Sequence, residues 1–287
     1  MVSATQTGPI RAASPSDHDE VADFLTVGDL QLYYVVHRAK IAPKARVILV
    51  SPFATERSRR FISWVRWARY LANHGFEVLR FDNRGTGEST GDFSKLGFRE
   101  WHEDLKIFCG MFQDKTPRLP LVLHGLGMGA LFASRCLAEG TGDILLMWSP
   151  PKDGRDMLYQ QLRLRLAHDF ALPPTERRTR DQYIKELEAG NFVEVEGYDW
   201  SLKLWREAGD YVLAADEAAR VSRGRPCTVS QLDALASHVF GGVGPNPLRL
   251  PGVSPKLHLV NPDLSKTYEA VETWISGAIT QLGEPSQ

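Results

Sequence analysis

Leu121-Val122-Leu123-His124-Gly125-Leu126-Gly127-Met128-Gly129-Ala130-Leu131 is the stretch that decides the fold. An apolar, strand-like run ends in three alternating glycines, and an alanine-rich helical pattern continues from Ala130 through Cys136 and Ala138. Strand, tight glycine turn, helix is the geometry of a G-x-S-x-G nucleophile elbow. Flanking glycines suit such a turn because side chains beside the nucleophile would have no room. The middle position, where an elbow presents its serine, is Gly127. With no side chain, Gly127 cannot be a nucleophile.

Strands alternate with helices on both sides of that stretch. Phe24 to Arg38 holds two short strand patterns around Gly28-Asp29, a hairpin signal. Ala45 to Phe53 is a continuous β-branched run of the kind buried on both faces of a parallel sheet. Thr55, Glu56 and Arg57 read as a loop, with Ser58 as N-cap of a helix whose apolar positions are Phe61, Trp64, Val65, Ala68 and Leu71. Gly75 ends that helix. Phe76 to Asp82 is the next strand and leads into the glycine-rich loop from Asn83 to Gly91. Phe98 to Phe112 is an amphipathic helix, and Ile144 to Trp148 a strand after the elbow helix. This alternation predicts βαβ units and a mostly parallel sheet flanked by helices. The segments Ser51–Glu56, Asp82–Ser89, Gly125–Gly129 and Ser149–Pro151 should then share the rim at the strands' carboxyl ends.

From about Pro150 the rhythm changes. Met157 to Phe170 reads as a helix broken by Leu172-Pro173-Pro174; a charged segment from Thr175 to Gly190 follows, and Trp200 to Ala219 reads as helical. Residues 151–219 are therefore expected to form a helical cap, with residues 21–150 and 220–287 as the core and 1–20 as a disordered leader. Cys227-Thr228-Val229 is a weak strand, Pro255 to Val260 a better one, and Asp263 to Ile279 a closing helix.

The succession SPFATERSRR, VLRFDNRGTGESTGDF, GLGMGALFA and WSPPKDGRDMLYQQLRLRLA resembles the α/β-hydrolase superfamily. More narrowly it is similar to the exosortase A system-associated hydrolases of type 2. The residues that carry this likeness are Pro52-Phe53-Ala54 with Ser58-Arg59-Arg60, and Asp82, Gly85, Gly87, Ser89 and Gly91. Gly125, Leu126, Gly129 and Ala130 continue it, with Gly127 where that family has arginine. Trp148, Pro150, Gly154, Leu158, Gln160 (or Gln161) and Leu162-Arg163 complete it. The match covers about residues 24 to 205. It implies an α/β-hydrolase fold with a helical cap over a pocket, and an elbow that lacks serine.

A hydrolase triad follows the order Ser, Asp/Glu, His. The serine is missing; Asp233 stands where the acid belongs, and the last strand is followed by no histidine, leaving His258 within it and His238 before it. His124 is the best candidate base; the alternative is a histidine packed between sheet and helix. Glu56 and Arg59 are candidate ligands for a carboxylate or phosphate, or a solvated pair. Phe53 and Trp148 complete the expected lining, and the backbone N–H groups of Gly127 and Met128 at a helix N-terminus offer a seat for an anionic oxygen. Asp82 with Arg84 reads as a structural brace of the glycine loop. Ser51, Ser89 and Ser149 are rim hydroxyls without an expected strained turn or adjacent base.

Composition narrows the function classes. The chain has 287 residues and a net charge of −1, and no basic stripe interleaved with aromatics, which argues against a nucleic-acid partner. No apolar run reaches the ~18 residues of a membrane span, and residues 1–20 contain no apolar signal core. Cys109, Cys136 and Cys227 show no metal spacing and fit a reducing cytosol as buried structural residues. G-x-G-x-G after a mid-chain strand is not the dinucleotide fingerprint, so neither NAD nor another cofactor is expected, and no metal. The resulting expectation is a protein that binds a small acyl or carboxylate ligand without serine-hydrolase turnover. Alternatives are an enzyme working by non-covalent acid/base chemistry (ester or thioester hydrolysis, acyl transfer, lyase or cyclisation) and a non-catalytic partner protein docking through Arg177 to Lys185. A homodimer or a partner from a biosynthetic cluster is compatible with each.

Overall fold

The computed structural model describes residues 19–214, 228–232 and 265–283. The opening hairpin is β1 (Glu20–Val27) and β2 (Leu30–His37), turning at Gly28, whose φ of 59° suits glycine. There follow β3 (Ala45–Val50), α1 (Ala54–Asn73), β4 (Phe76–Phe81), α2 (Phe98–Gln113), β5 (Leu121–Leu126), α3 (Met128–Ala138) and β6 (Ile144–Trp148). An excursion of α4 (Gly154–Asp169), α5 (Arg180–Glu188), the hairpin β7 (Val193–Val195) with β8 (Tyr198–Trp200), and α6 (Leu202–Glu207) comes next. The chain returns to the sheet with β9 (Thr228–Leu232) and ends on α7 (Ser265–Gly283).

The seven strands lie in the order β1-β2-β4-β3-β5-β6-β9, antiparallel at the first two pairings and parallel thereafter. All of β3, β5 and β6 is buried, as their mostly apolar sequences, interrupted only by Arg46 in β3 and His124 in β5, require when helices cover both faces. One core, with Trp64, Trp67 and Leu71 of α1 and Val271 and Ile275 of α7, lies on one face. The other takes Phe98, Leu105 and Phe108 of α2, Leu131 and Phe132 of α3, and the excursion's Leu158, Leu162, Trp200 and Trp205. The excursion is held by this packing, each large buried side chain contributing roughly 2 kcal/mol. The closing helix buries Tyr268, Val271 and Ile275 on the face it shares with α1 and leaves Trp274 half-buried beside them.

Three readings of local structure change. Helix α1 begins at Ala54, four residues before Ser58, with Phe53 at its N-cap. Thr55, Glu56, Arg57 and Arg59 thus stand on its first turns. The helix follows directly on β3 because Ala54 adopts φ 43°, a left-handed bend that a side chain rarely takes without tertiary support. Second, Trp200 to Ala219 is no continuous helix: Trp200 closes the β7–β8 hairpin, α6 spans two turns, and Val212 bridges back to Asp153. Third, α3 starts at Met128, not Ala130. The predicted strand 255–260 lies outside the described residues, as do His238, residues 1–18 and Cys227; Cys109 and Cys136 are free and buried. Among the described residues no helix is long and apolar enough to cross a membrane.

Candidate functional site

Strand order reverses at β3: β4 lies on one side of it and β5 on the other. Crevices outside the carboxyl ends of strands at such a reversal are where ligands bind in open α/β sheets. Val50 and Gly125 pair across β3 and β5, so the segments leaving the two strands start level with one another. From β3 the chain runs through Pro52 and Phe53 into α1; from β5 it runs through Gly127 into α3.

Gly127 has φ 56° and ψ −123°, the sharp bend between strand and helix. Its neighbours are glycines of necessity. A Cβ on Gly125 would run into the backbone of Ala130, and one on Gly129 into the carbonyl oxygens of Val50 and Ser51. Position 127 differs: among the described residues the nearest atoms to an added Cβ would be the Glu56 carboxylate, with Oε2 3.0 Å away, and Pro52 Cβ at 3.5 Å. Space for a side chain exists there, and the carboxyl of Glu56 faces it. The Glu56 backbone N–H donates to the Phe53 carbonyl at 3.0 Å, while its carboxylate makes no ion pair or hydrogen bond among the described residues. Burial pushes its carboxyl above the ordinary 4.5, with Arg60 and Arg59 pulling the other way.

The two amides expected to serve an anionic oxygen are not equivalent. The Gly127 N–H donates to the Trp148 carbonyl at 2.9 Å and is spent on holding the bend to β6. The Met128 N–H, at the first position of α3, has no acceptor within the helix and remains the amide suited to an oxyanion.

His124 occupies a different environment. Period-two alternation along β5 sends it to the face of α1 and α7, opposite Leu123. It is fully buried, in edge contact with Trp64 and Trp148 at ring distances of 5.0 and 4.6 Å, and its Nδ1 accepts the Trp67 indole N–H at 3.0 Å. Burial pushes its pKa down to about 3. A base at the mouth of the bend is thus not where His124 lies; its packing matches the alternative reading, a histidine held between sheet and helix, with the Trp67 indole as its partner. Trp148 belongs to the same cluster, against His124, Trp64 and Trp67, and contributes to the bend through its carbonyl rather than its ring.

Phe53 is buried beneath the excursion, edge-on to Trp101 and Trp200 at 5.8 and 5.9 Å. Arg59 is 54% exposed and bonds Glu196 at 3.0 Å, on the β7–β8 turn, where Thr55 Oγ1 also donates to the Glu196 carbonyl. Arg59 therefore ties α1 to the excursion. Asp82 pairs with Arg57 through Nε at 2.9 Å and Nη2 at 2.6 Å, and accepts the Glu88 N–H; Arg84 instead donates Nε–H to Asp104 at 2.7 Å. The expected Asp82–Arg84 brace is thus two separate pairs. Ser51 and Ser89 hydroxyls are spent on the Phe81 and Asp82 carbonyls. Ser149, unlike expectation, does stand on a strained bend, with φ 46°; its buried Oγ has no partner among the described residues. Asp233 and His258 lie outside the described residues. No cluster able to hold a metal occurs among those described.

Sequence reasoning placed Glu56 among ligand-binding residues but not over the bend; the acid three residues after the buried Phe53 was the available signal. The model of the serine aminopeptidase S33 hydrolase family matches residues 41–168. No curated protein matches the chain. Among solved structures, Est1E from Butyrivibrio proteoclasticus with bound ferulic acid is 13% identical, with a TM-score of 0.55 over 90% of this chain and 99% of that one. The Pyrococcus furiosus esterase PF2001 is 16% identical, with a TM-score of 0.53 over 98% and 100%. Mouse α/β hydrolase domain-containing protein 10 is 14% identical, with a TM-score of 0.51 over 92% and 100%. Strand order, the bend at Gly127 and these likenesses agree: the chain is a protein of the α/β-hydrolase fold.

Proposed function

We propose that the chain binds a small acyl or carboxylate ligand at the Gly127 bend, beneath residues 151–219 as a helical cap, without forming an acyl-serine. One observation carries this reading. The bend keeps the backbone of an elbow while position 127 offers no hydroxyl, and the Glu56 carboxyl faces the space a nucleophile would fill. The Met128 amide supplies a hydrogen bond for a carbonyl or carboxylate oxygen, favoured by the helix N-terminus. The resemblance to exosortase A system-associated hydrolases, whose elbow also lacks serine, supports the same reading.

The test has two arms. A fluorophosphonate probe should leave every serine unlabelled, Ser149 included; a serine adduct found by mass spectrometry overturns the absence of serine chemistry. Octanoate, titrated by calorimetry, should bind, and a Met128→Pro exchange, which removes the amide, should weaken it. Absence of octanoate binding overturns the ligand reading.

A second reading, an enzyme using non-covalent acid/base chemistry, gains from Glu56 and loses from His124. The histidine lies on the far face of the sheet in an indole cage.

A further inference from the structure

Four observations converge on Glu56. Its Oε2 stands 3.0 Å from the Cβ position of Gly127, where an elbow would carry its hydroxyl. It sits on the first turn of α1, rigidly placed by the short connection from β3 and by the buried Phe53 before it. Among the described residues it has no ion-pair partner, although Arg57 and Arg59 on either side are committed to Asp82 and Glu196. The Met128 amide, at the first position of α3 beside the bend, has no acceptor within the helix and can serve an oxygen.

We propose that Glu56 is a catalytic general base: it takes a proton from a water molecule that attacks an acyl carbonyl held at the Gly127 bend, so that the chain hydrolyses activated acyl compounds, thioesters or aryl esters, with no acyl-enzyme. This rests on the acyl-ligand reading above and adds a reaction to it. As the water oxygen bonds to the carbonyl carbon, its O–H bond breaks toward Glu56 Oε2, and the carbonyl π pair moves onto its oxygen, opposite the Met128 N–H. Collapse of the tetrahedral intermediate re-forms the carbonyl and breaks the bond to sulfur or oxygen. The leaving thiol or phenol departs with that electron pair and receives the proton from Glu56. The products are a carboxylic acid and the thiol or phenol, and Glu56 returns to a carboxylate. Burial raises the Glu56 carboxyl above its ordinary range, which brings the proton acceptor closer to neutrality and makes it a stronger base than a solvated glutamate. No histidine is needed, and none among the described residues stands at the bend.

The experiment uses the full chain with p-nitrophenyl octanoate and octanoyl-coenzyme A. We expect steady turnover without a burst, untouched by prior fluorophosphonate treatment, and kcat/KM that rises with pH on a single ionisation. Glu56→Gln, close to isosteric, should lower kcat by about 10²–10⁴-fold, the usual weight of one acid/base group, and abolish the pH dependence. Glu56→Asp, which withdraws the carboxyl by one methylene, should fall between the two, and guards against a fold defect in the amide variant. Octanoate affinity should survive in both. The proposal is overturned by wild-type rates equal to background, by a Glu56→Gln variant of undiminished rate, or by an acyl adduct on any residue. Background rates with octanoate still bound remove the Glu56 step alone, whereas loss of octanoate binding removes the ligand reading beneath it.

Discussion

Glu56 Oε2 and the site of an absent Cβ on Gly127 lie 3.0 Å apart, across the gap between the ends of β3 and β5. That distance is tight for a methyl group but not prohibitive, since the neighbour is the end of a flexible side chain. Gly127→Ala should therefore fold, at a cost of about 1–3 kcal/mol from the backbone at φ 56°. Gly129→Ala should cost more, because its methyl would press on the fixed carbonyls of Val50 and Ser51. Urea denaturation ranks the two; the reverse order would contradict this steric account of the bend.

Asp104 is fully buried and holds both the backbone N–H and the guanidinium of Arg84, at 2.9 Å and 2.7 Å. Burial raises its carboxyl, with the bonds to Arg84 opposing that rise. Asp104→Ala leaves a mostly buried guanidinium uncompensated, and a loss of about 3–5 kcal/mol is expected in equilibrium unfolding. A loss below about 1 kcal/mol would mean that Arg84 finds water without consequence.

The Arg59–Glu196 pair calls for the opposite expectation. Arg59 is largely exposed, so solvent screens the charge, and such pairs are worth about 0–1 kcal/mol. Glu196→Ala should barely change global stability. It should speed amide exchange in the β7–β8 hairpin, whose turn is tied to α1 by Arg59. Unaltered exchange there would show that the contacts the substitution leaves intact, Trp200 with Phe53 and Thr55 Oγ1 with the Glu196 carbonyl, hold the hairpin.

His37 and His124 set a direction for pH. Burial, reinforced by Arg80 and opposed by Glu20, pulls the His37 pKa from 6.5 to about 4; burial alone pulls that of His124 to about 3. Both folded values lie below the unfolded one, so the unfolded chain binds the extra protons. Their contribution to stability is complete above pH 6.5 and drains away as pH falls toward 4, on the order of 3 kcal/mol for His37. Urea midpoints between pH 7.5 and 4.5 should fall on acidification. A flat profile would mean that neither ring resists protonation in the fold.

Much of the framework was legible from local pattern. The hairpin at Gly28-Asp29, the alternation of strands with amphipathic helices, and the bend at Gly127 each follow from short-range chemistry. The start of α1 was not: T-E-R-S reads as a loop with a serine cap, and the left-handed Ala54 that begins the helix early is a strain that local sequence disfavours. The β7–β8 hairpin escaped notice because its two strands have three residues each, too few to show a period. Asp82 was assigned to its near neighbour Arg84, whereas its partner Arg57 is 25 residues away in sequence and adjacent only after β3 and β4 have paired.

By itself the sequence determined that this chain builds a mostly parallel sheet with a glycine bend at its centre, and that no hydroxyl stands on that bend. Those features are matters of backbone period and residue identity, both local. Tertiary structure alone decided which groups reach the bend. The period-two turn of β5 takes His124 to the opposite face, Arg59 is drawn away by Glu196, and the pairing of Val50 with Gly125 brings Glu56 to the vacant position. Burial and distance between residues 71 positions apart belong to the folded sheet, and no window of sequence contains them.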